Sequence, residues 1–340
     1  MPPKRTPLDG RPSRRAALDR QIPLSHGRVT SLADQRRSSL AIKLFEQWLA
    51  AVSPLISWHT LAESPIILNR VIMNYAEYLY ASGSHMYQLI GLVTGLQHAV
   101  PDIRGHLKGA WSLISVWGAR EPTVHRTPLP FAVLKAIAVL ALQWGWKRWL
   151  AVTFIAFFGP ARIGEPIRAL RRDLVLPSDV LEPEISRAHL HIVNPKSAFR
   201  GGAAQQHTTI SCREVVQYLQ AVYGNTAPGE KLFSLCSSSY RRRWDLLVKH
   251  LGLPRQLFTP GGLRGGGAVY LYLRDTPIVN IQWAMRVRQL DTLQHYIQEV
   301  AAIRSLAELP SETRSLIASL GQLYSWSLER VISGTGSSSL

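Results

Sequence analysis

The chain is short of acidic residues, of sulfur and of long apolar runs. Its 340 residues hold two cysteines, Cys212 and Cys236. Two are too few for a disulfide framework, and neither sits in a Cys-x-x-Cys or His/Cys cluster, so both read as free thiols and no zinc site is expected. No stretch reaches the ~18 uninterrupted apolar residues of a membrane span. The richest, 130–158, is broken by Lys135 and by Lys147-Arg148 and reads as two buried helices. The N-terminus has no apolar core of a secretory signal. Asp and Glu number 22 against 39 Lys and Arg, a formal net charge of +17. So basic a chain favours polyanions: nucleic acid first, an anionic membrane surface second.

What is present falls into segments. Residues 1–38 are rich in Pro, Arg and Ser with little apolar periodicity, a composition that buries too little surface to order itself. A disordered basic arm is expected, in which Lys4-Arg5 and Arg14-Arg15 suit DNA binding or nuclear import. From 39 to 120 the period turns helical: Ile42, Phe45, Trp48, Leu49 and Val52 share one face. About four helices in a compact bundle are expected. Residues 121–130 (EPTVHRTPLP) form a Pro-rich linker. A larger domain, 131–310, then combines helices with two short strands, His189 to Val193 and Gln206 to Ser211, joined by a turn holding Lys196 and Gly201-Gly202. One amphipathic helix, Ser311 to Ile332, precedes a Gly/Ser tail within 311–340. The expected fold is mainly α with a small antiparallel β-sheet, in two domains.

Four motifs in this order carry chemistry: Gly159-Pro160-Ala161-Arg162-Ile163-Gly164-Glu165 at a helix end, Asn194-Pro195-Lys196-Ser197 at the hairpin, Thr259-Pro260-Gly261-Gly262-Leu263-Arg264 opening a helix, and Thr292-Leu293-Gln294-His295-Tyr296 on a late helix. They supply two guanidiniums that grip phosphate through planar forks, an ammonium able to protonate a leaving oxygen, and a phenol able to attack phosphorus and hold it covalently. No acidic metal-binding cluster lies nearby, so two-metal hydrolysis has little support and no metal or cofactor is expected.

In these motifs the chain resembles the tyrosine recombinase (phage integrase) family, with a Crypton- or DIRS-like eukaryotic transposon flavour. Arg162 and Glu165 match the family's first motif, Lys196 its hairpin lysine, Arg264 the arginine of its H-x-x-R motif, and Tyr296 its nucleophile. The resemblance implies a helical core-binding domain and a catalytic domain. It also implies clamping of a scissile phosphate by Arg162 and Arg264, a 3′-phosphotyrosine at Tyr296, and protonation of the departing 5′-oxygen by Lys196. A homotetramer on two double-stranded DNA sites would exchange a C-terminal segment, for which 311–332, with Leu316, Leu320, Leu323 and Leu328, is the candidate. Nuclear localisation follows from that flavour and the basic arm.

Two positions depart from the pattern. Gly261 stands where the family has a proton-transferring histidine, and Val287 where it has a second phosphate donor, flanked by Arg286 and Arg288. One missing acid/base group typically costs about 10²–10⁴ in rate. A transposon-derived DNA-binding protein that keeps the fold without the chemistry is therefore the alternative; a helical scaffold or membrane-surface protein is a third. Arg286 and Arg288 are candidates to reach the phosphate instead. Arg241, Arg242 and Arg243, on a predicted helix, are candidate backbone contacts or a solvated face. The Gly-rich run GGLRGGGA fits neither a P-loop nor a dinucleotide fold, and its glycines suit close backbone approach, to DNA or within the fold. His189 and His191 share a strand face without further ligands, which favours a structural role over metal binding.

Overall fold

A computed structural model describes residues 32–122, 126–180, 186–193, 195, 206–287, 293 and 296–334. The fold is mainly helical with one three-stranded antiparallel sheet. The chain divides into two compact units between Thr123 and Val124, inside the Pro-rich segment.

The first unit is built from α1 (Leu32–Val52), α2 (Trp58–Ala62), α3 (Pro65–Ala81), α4 (Met86–Ala99) and α5 (Lys108–Arg120), with a 3-10 turn at Pro101–Gly105. Helix α1 takes up the last seven residues, 32–38, of the expected basic arm. Its early turns are needed: a side chain at Gly95 of α4 would touch Ser38 Cβ at 3.0 Å, so Ser38 lies in the helix–helix contact, not in a tail. Phe45, Leu68, Ile72, Leu89 and Leu92 are fully buried, as the helical spacing requires. Across α3 and α5 the amide of Ala110 donates to Asn69 Oδ1 at 3.1 Å.

The second unit centres on α6 (Phe131–Gln143) and α7 (Lys147–Phe158), most residues of which are buried. Those are the two helices into which the long apolar stretch divides, because Trp144, Gly145 and Trp146 turn the chain, with Gly145 at φ 74°. Trp149 is fully buried and its indole donates to the Tyr240 carbonyl at 3.2 Å, tying α7 to α10 (Ser237–His250). The sheet runs in the order β1 (Leu174–Val175), β2 (Ala188–Ile192), β3 (Gln206–Ile210). Leu190 pairs with Leu174 on one side and Thr208 on the other. Ala188, Leu190 and Ile192 alternate inward and are buried, the period of two that a half-covered sheet demands. His189 and His191 lie on the opposite face, where the His189 ring nitrogen bonds Thr209 Oγ1 at 3.1 Å.

Arg171 pins the sheet to the helical layer. Its guanidinium donates to the carbonyls of Tyr223 and Leu174 and, in a fork, to both Asp179 oxygens at 2.8 and 2.9 Å. The remaining helices are α8 (Gly164–Arg168), α9 (Arg213–Tyr223), α11 (Gly262–Tyr272), α12 (Ile278–Met285), α13 (Glu299–Ala307), α14 (Ser311–Gln322) and α15 (Tyr324–Gly334).

The C-terminal segment corrects the expectation of one continuous helix over 311–332. It breaks at Leu323 into α14 and α15, and both pack on their own unit, against α6 and α9. Ile317, Tyr324 and Leu328 are buried in the same core as Trp149. Leu328 is therefore occupied within its own chain. Leu316 and Leu323 remain exposed, and Leu320 is half-buried.

Candidate active site

Three segments meet around one carboxylate. The first follows α7, where the chain turns through Gly159–Ala161 and the Thr208 hydroxyl of β3 donates to the Gly159 carbonyl. This turn delivers Arg162 and, in the first turn of α8, Glu165. The Glu165 carboxylate accepts from the Arg162 amide at 2.9 Å and from Arg162 Nη1 at 3.4 Å. Its side chain is only 3% exposed, whereas that of Arg162 is 43% exposed.

The second segment is the N-terminal turn of α11, which carries Arg264. Gly262, Gly266 and Gly267 are required by backbone neighbours within the fold. A side chain at Gly262 would lie 2.5 Å from the Thr127 carbonyl oxygen. One at Gly266 would strike the Leu129 carbonyl, and one at Gly267 the Phe157 carbonyl. Residues 127–129 thus lie along one side of α11 and the end of α7 along another, with the Leu129 amide donating to the Gly262 carbonyl at 3.0 Å. Of the two expectations for this run, close packing inside the fold holds. At Gly261 the space is filled differently: the Arg126 side chain lies across it, with Cδ 2.6 Å from where a Cβ would sit.

Arg264 itself is 5% exposed. One nitrogen, Nη2, donates to the Met285 carbonyl, and the guanidinium carbon lies 5.5 Å from the centre of the Tyr296 ring. Its Nε and Nη1 are buried with no hydrogen-bond partner. Burial first, then the neighbouring charges of Arg162 and Arg286, push its pKa down to about 10, which leaves it cationic at neutral pH.

The third segment is the end of α12 and the turn beyond it. Arg286 caps α12 in the left-handed conformation, φ 56°, a region that costs a residue with a side chain free energy. The turn aims its guanidinium inward: Nη2 donates to Glu165 Oε2 at 2.8 Å, and the side chain is 9% exposed. Its Nε and Nη1 are also buried and unpartnered. Burial would raise the Glu165 carboxyl, but Arg286 and then Arg162 together hold it below its ordinary value. Tyr296 sits in a turn before α13, not within a helix as the sequence suggests. Its amide donates to the Leu293 carbonyl at 2.8 Å, and its ring packs against the small core of Ala268, Ile281, Met285 and Leu293.

Arg162, Arg264 and Tyr296 are therefore brought together, and Arg286, a candidate to reach the phosphate or to contact DNA, joins them. Glu165 is the residue whose importance the sequence understated; its i+3 spacing from Arg162 was the available signal. Lys196, Arg288, Gly201 and Gly202 lie outside the described residues; β2 and β3, which precede and follow Lys196 in sequence, form the expected antiparallel pair. Two of the three candidate contacts on α10 already have partners: Arg241 grips Asp245 at 2.8 Å, and Arg243 lies 4.9 Å over the Trp146 ring. Arg242 is exposed. Val287, half-buried, packs on the core beneath Tyr296. A cleft of about 490 Å³ opens beside Glu165, lined also by Arg168, His191, Lys231 and Cys236. Among the described residues no cluster of three or more His, Cys, Asp or Glu suits a metal ion, and no helix is long and apolar enough to cross a membrane.

Chemically, among the described residues, three guanidiniums and one carboxylate leave two positive charges uncompensated, with buried N–H donors unpaired. Such an arrangement suits a tetrahedral oxyanion, because preorganised donors in a dry site are worth most where negative charge gathers.

No family model matches this sequence, and no curated protein matches it. Among solved structures the chain is similar to one described as the crystal structure of XerA recombinase, at 14% identity and a TM-score of 0.40, covering 80% of this chain and 98% of that one. It is also similar to XerH site-specific recombinase bound to difH substrate in a pre-cleavage complex, at 14% identity and a TM-score of 0.40, covering 74% of this chain and 80% of that one.

Proposed function

We propose that this chain is a tyrosine recombinase that binds double-stranded DNA, cleaves one strand through Tyr296 and rejoins it to another. The observation that carries the reading is the convergence of Arg162, Arg264 and Tyr296, far apart in sequence, around the buried Glu165. In the proposed step the two guanidiniums neutralise the non-bridging oxygens of a phosphodiester as Tyr296, losing its phenol proton to solvent, attacks phosphorus. The bond to the 5′-oxygen breaks and a 3′-phosphotyrosine forms. Lys196, on the β2–β3 turn, is the proposed donor of a proton to the departing oxygen. Attack by the 5′-hydroxyl of a partner strand reverses the step, so the phosphodiester energy is conserved and no nucleotide is consumed. The net charge of +17 favours phosphate contacts along the duplex, with Arg242 a candidate among them. A homo-oligomer on paired sites, a transposon origin and a nuclear location belong to the same proposal.

The test uses the full chain on a randomised duplex pool enriched by binding and then nicked, so that a covalent adduct cannot religate. A denaturant-stable protein–DNA adduct that Tyr296→Phe abolishes is the expected result. Tight binding with no adduct would leave a DNA-binding protein without the chemistry, the alternative that Gly261 and Val287 suggest. An adduct that survives Tyr296→Phe would assign the nucleophile elsewhere.

A further inference from the structure

Arg286 is an unusual residue to bury. A structural ion pair with Glu165 occupies Nη2 only. Its Nε and Nη1 are left buried without a partner, a cost that proteins ordinarily avoid. The backbone beneath it is held at φ 56° to aim the side chain inward. Immediately beside it Arg264 repeats the pattern: Nη2 is bound to the carbonyl of Met285, the residue preceding Arg286, and the same two nitrogens, Nε and Nη1, are unpartnered. Two like charges are thus buried next to each other, each with two idle donors. Among the described residues, the carboxylate in contact with the cluster is that of Glu165, already shared between Arg162 and Arg286. Neutral side chains would satisfy the packing at far lower electrostatic cost, and what both guanidiniums lack is an acceptor that carries negative charge.

We propose that Arg286 is a third anion-contacting guanidinium, and that its idle N–H donors and those of Arg264 close on one tetrahedral oxyanion, the phosphodiester that Tyr296 attacks. The proposal rests on the recombinase reading for the identity of that anion. Arg286 is then a catalytic residue and not an outlying DNA contact. Its role is electrostatic: a guanidinium stays protonated, so it stabilises charge developing on the phosphoryl oxygens and transfers no proton. Glu165 becomes the group that keeps Arg162 and Arg286 preorganised at one site before the anion arrives. Three guanidiniums less one carboxylate match the charge that a phosphodiester acquires as it becomes five-coordinate.

Inorganic sulfate is the probe, since it presents the same tetrahedral oxygens and needs no DNA target. The melting temperature of the full chain is followed against sulfate, with chloride at matched ionic strength as control. The wild type should gain stability specifically with sulfate. Arg286→Gln should raise the sulfate dissociation constant by roughly tenfold or more, as expected for loss of a charge-assisted pair, and Arg286→Lys should restore part of it. If Arg286→Gln does not fold, the double variant Glu165→Gln/Arg286→Gln, which removes the pair together, takes its place in the same comparison. A folded variant that binds sulfate as the wild type does overturns the proposal, as does a wild type indifferent to sulfate. A last arm separates DNA phosphate from a free anion. Sulfate should weaken binding of a random-sequence duplex more than chloride at equal ionic strength, and equal weakening overturns the claim that the anion is DNA phosphate. These readouts do not depend on Tyr296, so they fail separately from the adduct experiment.

Discussion

Glu165 Oε2 accepts a 2.8 Å hydrogen bond from Arg286 Nη2, across 121 residues of sequence. That bond joins the turn after α7 to the turn after α12, and the same carboxylate holds Arg162. It makes the cluster one unit whose members stand or fall together.

Removing the carboxylate leaves three neighbouring guanidiniums without a counter-charge. Glu165→Ala is expected to destabilise the second unit by about 3–5 kcal/mol, the range for breaking a buried pair from one side. Chemical denaturation at neutral pH measures it. Sulfate should recover part of the loss.

The pH dependence has a definite sign. Glu165 in the folded state lies below its ordinary value of 4.5. Its contribution is therefore fully present above that value and is lost as pH falls through the lower, folded one. Melting temperatures of wild type and Glu165→Gln, measured from pH 6 downward, should converge with acidification below about 4.5; parallel curves would contradict the ion pair.

Two glycines four and six residues past the N-cap of α11 should respond oppositely to alanine. A Cβ at Gly265 would stand 3.5 Å from Pro128, an ordinary contact, so Gly265→Ala should gain up to about 1 kcal/mol from helix propensity. At Gly267 the Cβ would strike the Phe157 carbonyl, and overpacking of about 1–3 kcal/mol or more outweighs that gain. Equilibrium unfolding of both variants tests the contrast.

Cys236 should be the reactive thiol of the pair. Hydrogen bonds with the Ser238 and then the Ser239 hydroxyl push its pKa down to about 6. Alkylation by iodoacetamide, read by mass spectrometry, should reach half its limiting rate near pH 6 at this exposed residue, whereas the half-buried Cys212 is less accessible to the reagent. Ser238→Ala should move that midpoint upward.

Arg171→Lys tests the clamp between sheet and helices. A lysine cannot reproduce two forked bonds to Asp179 together with two carbonyl contacts. A loss of about 1.5–3 kcal/mol is expected in denaturant unfolding, with little change in sulfate affinity.

The sequence by itself determined most of the elements and the residue types at the site. Helical periodicity located the longer helices up to α12, though not the five-residue α2 and α8, because burying one face imposes a repeat that a sufficiently long stretch of sequence displays. Motif order singled out Arg162, Arg264 and Tyr296. Other features depended on partners distant in the chain. That residues 32–38 belong to a helix was decided by the glycines of α4, which admit Ser38 and Ala41 into close contact. That α14 and α15 dock on their own unit was decided by the surface that α6 and α9 offer. The two-residue β1 is too short to carry a period and exists through its pairing with β2. Arg286 is the clearest case. In sequence it is one basic residue beside another; its burial, its left-handed turn and its bond to Glu165 arise only where α12 ends against α8. Local periodicity reports which side chains turn inward, whereas the charge that one inward side chain meets is set by segments more than a hundred residues away.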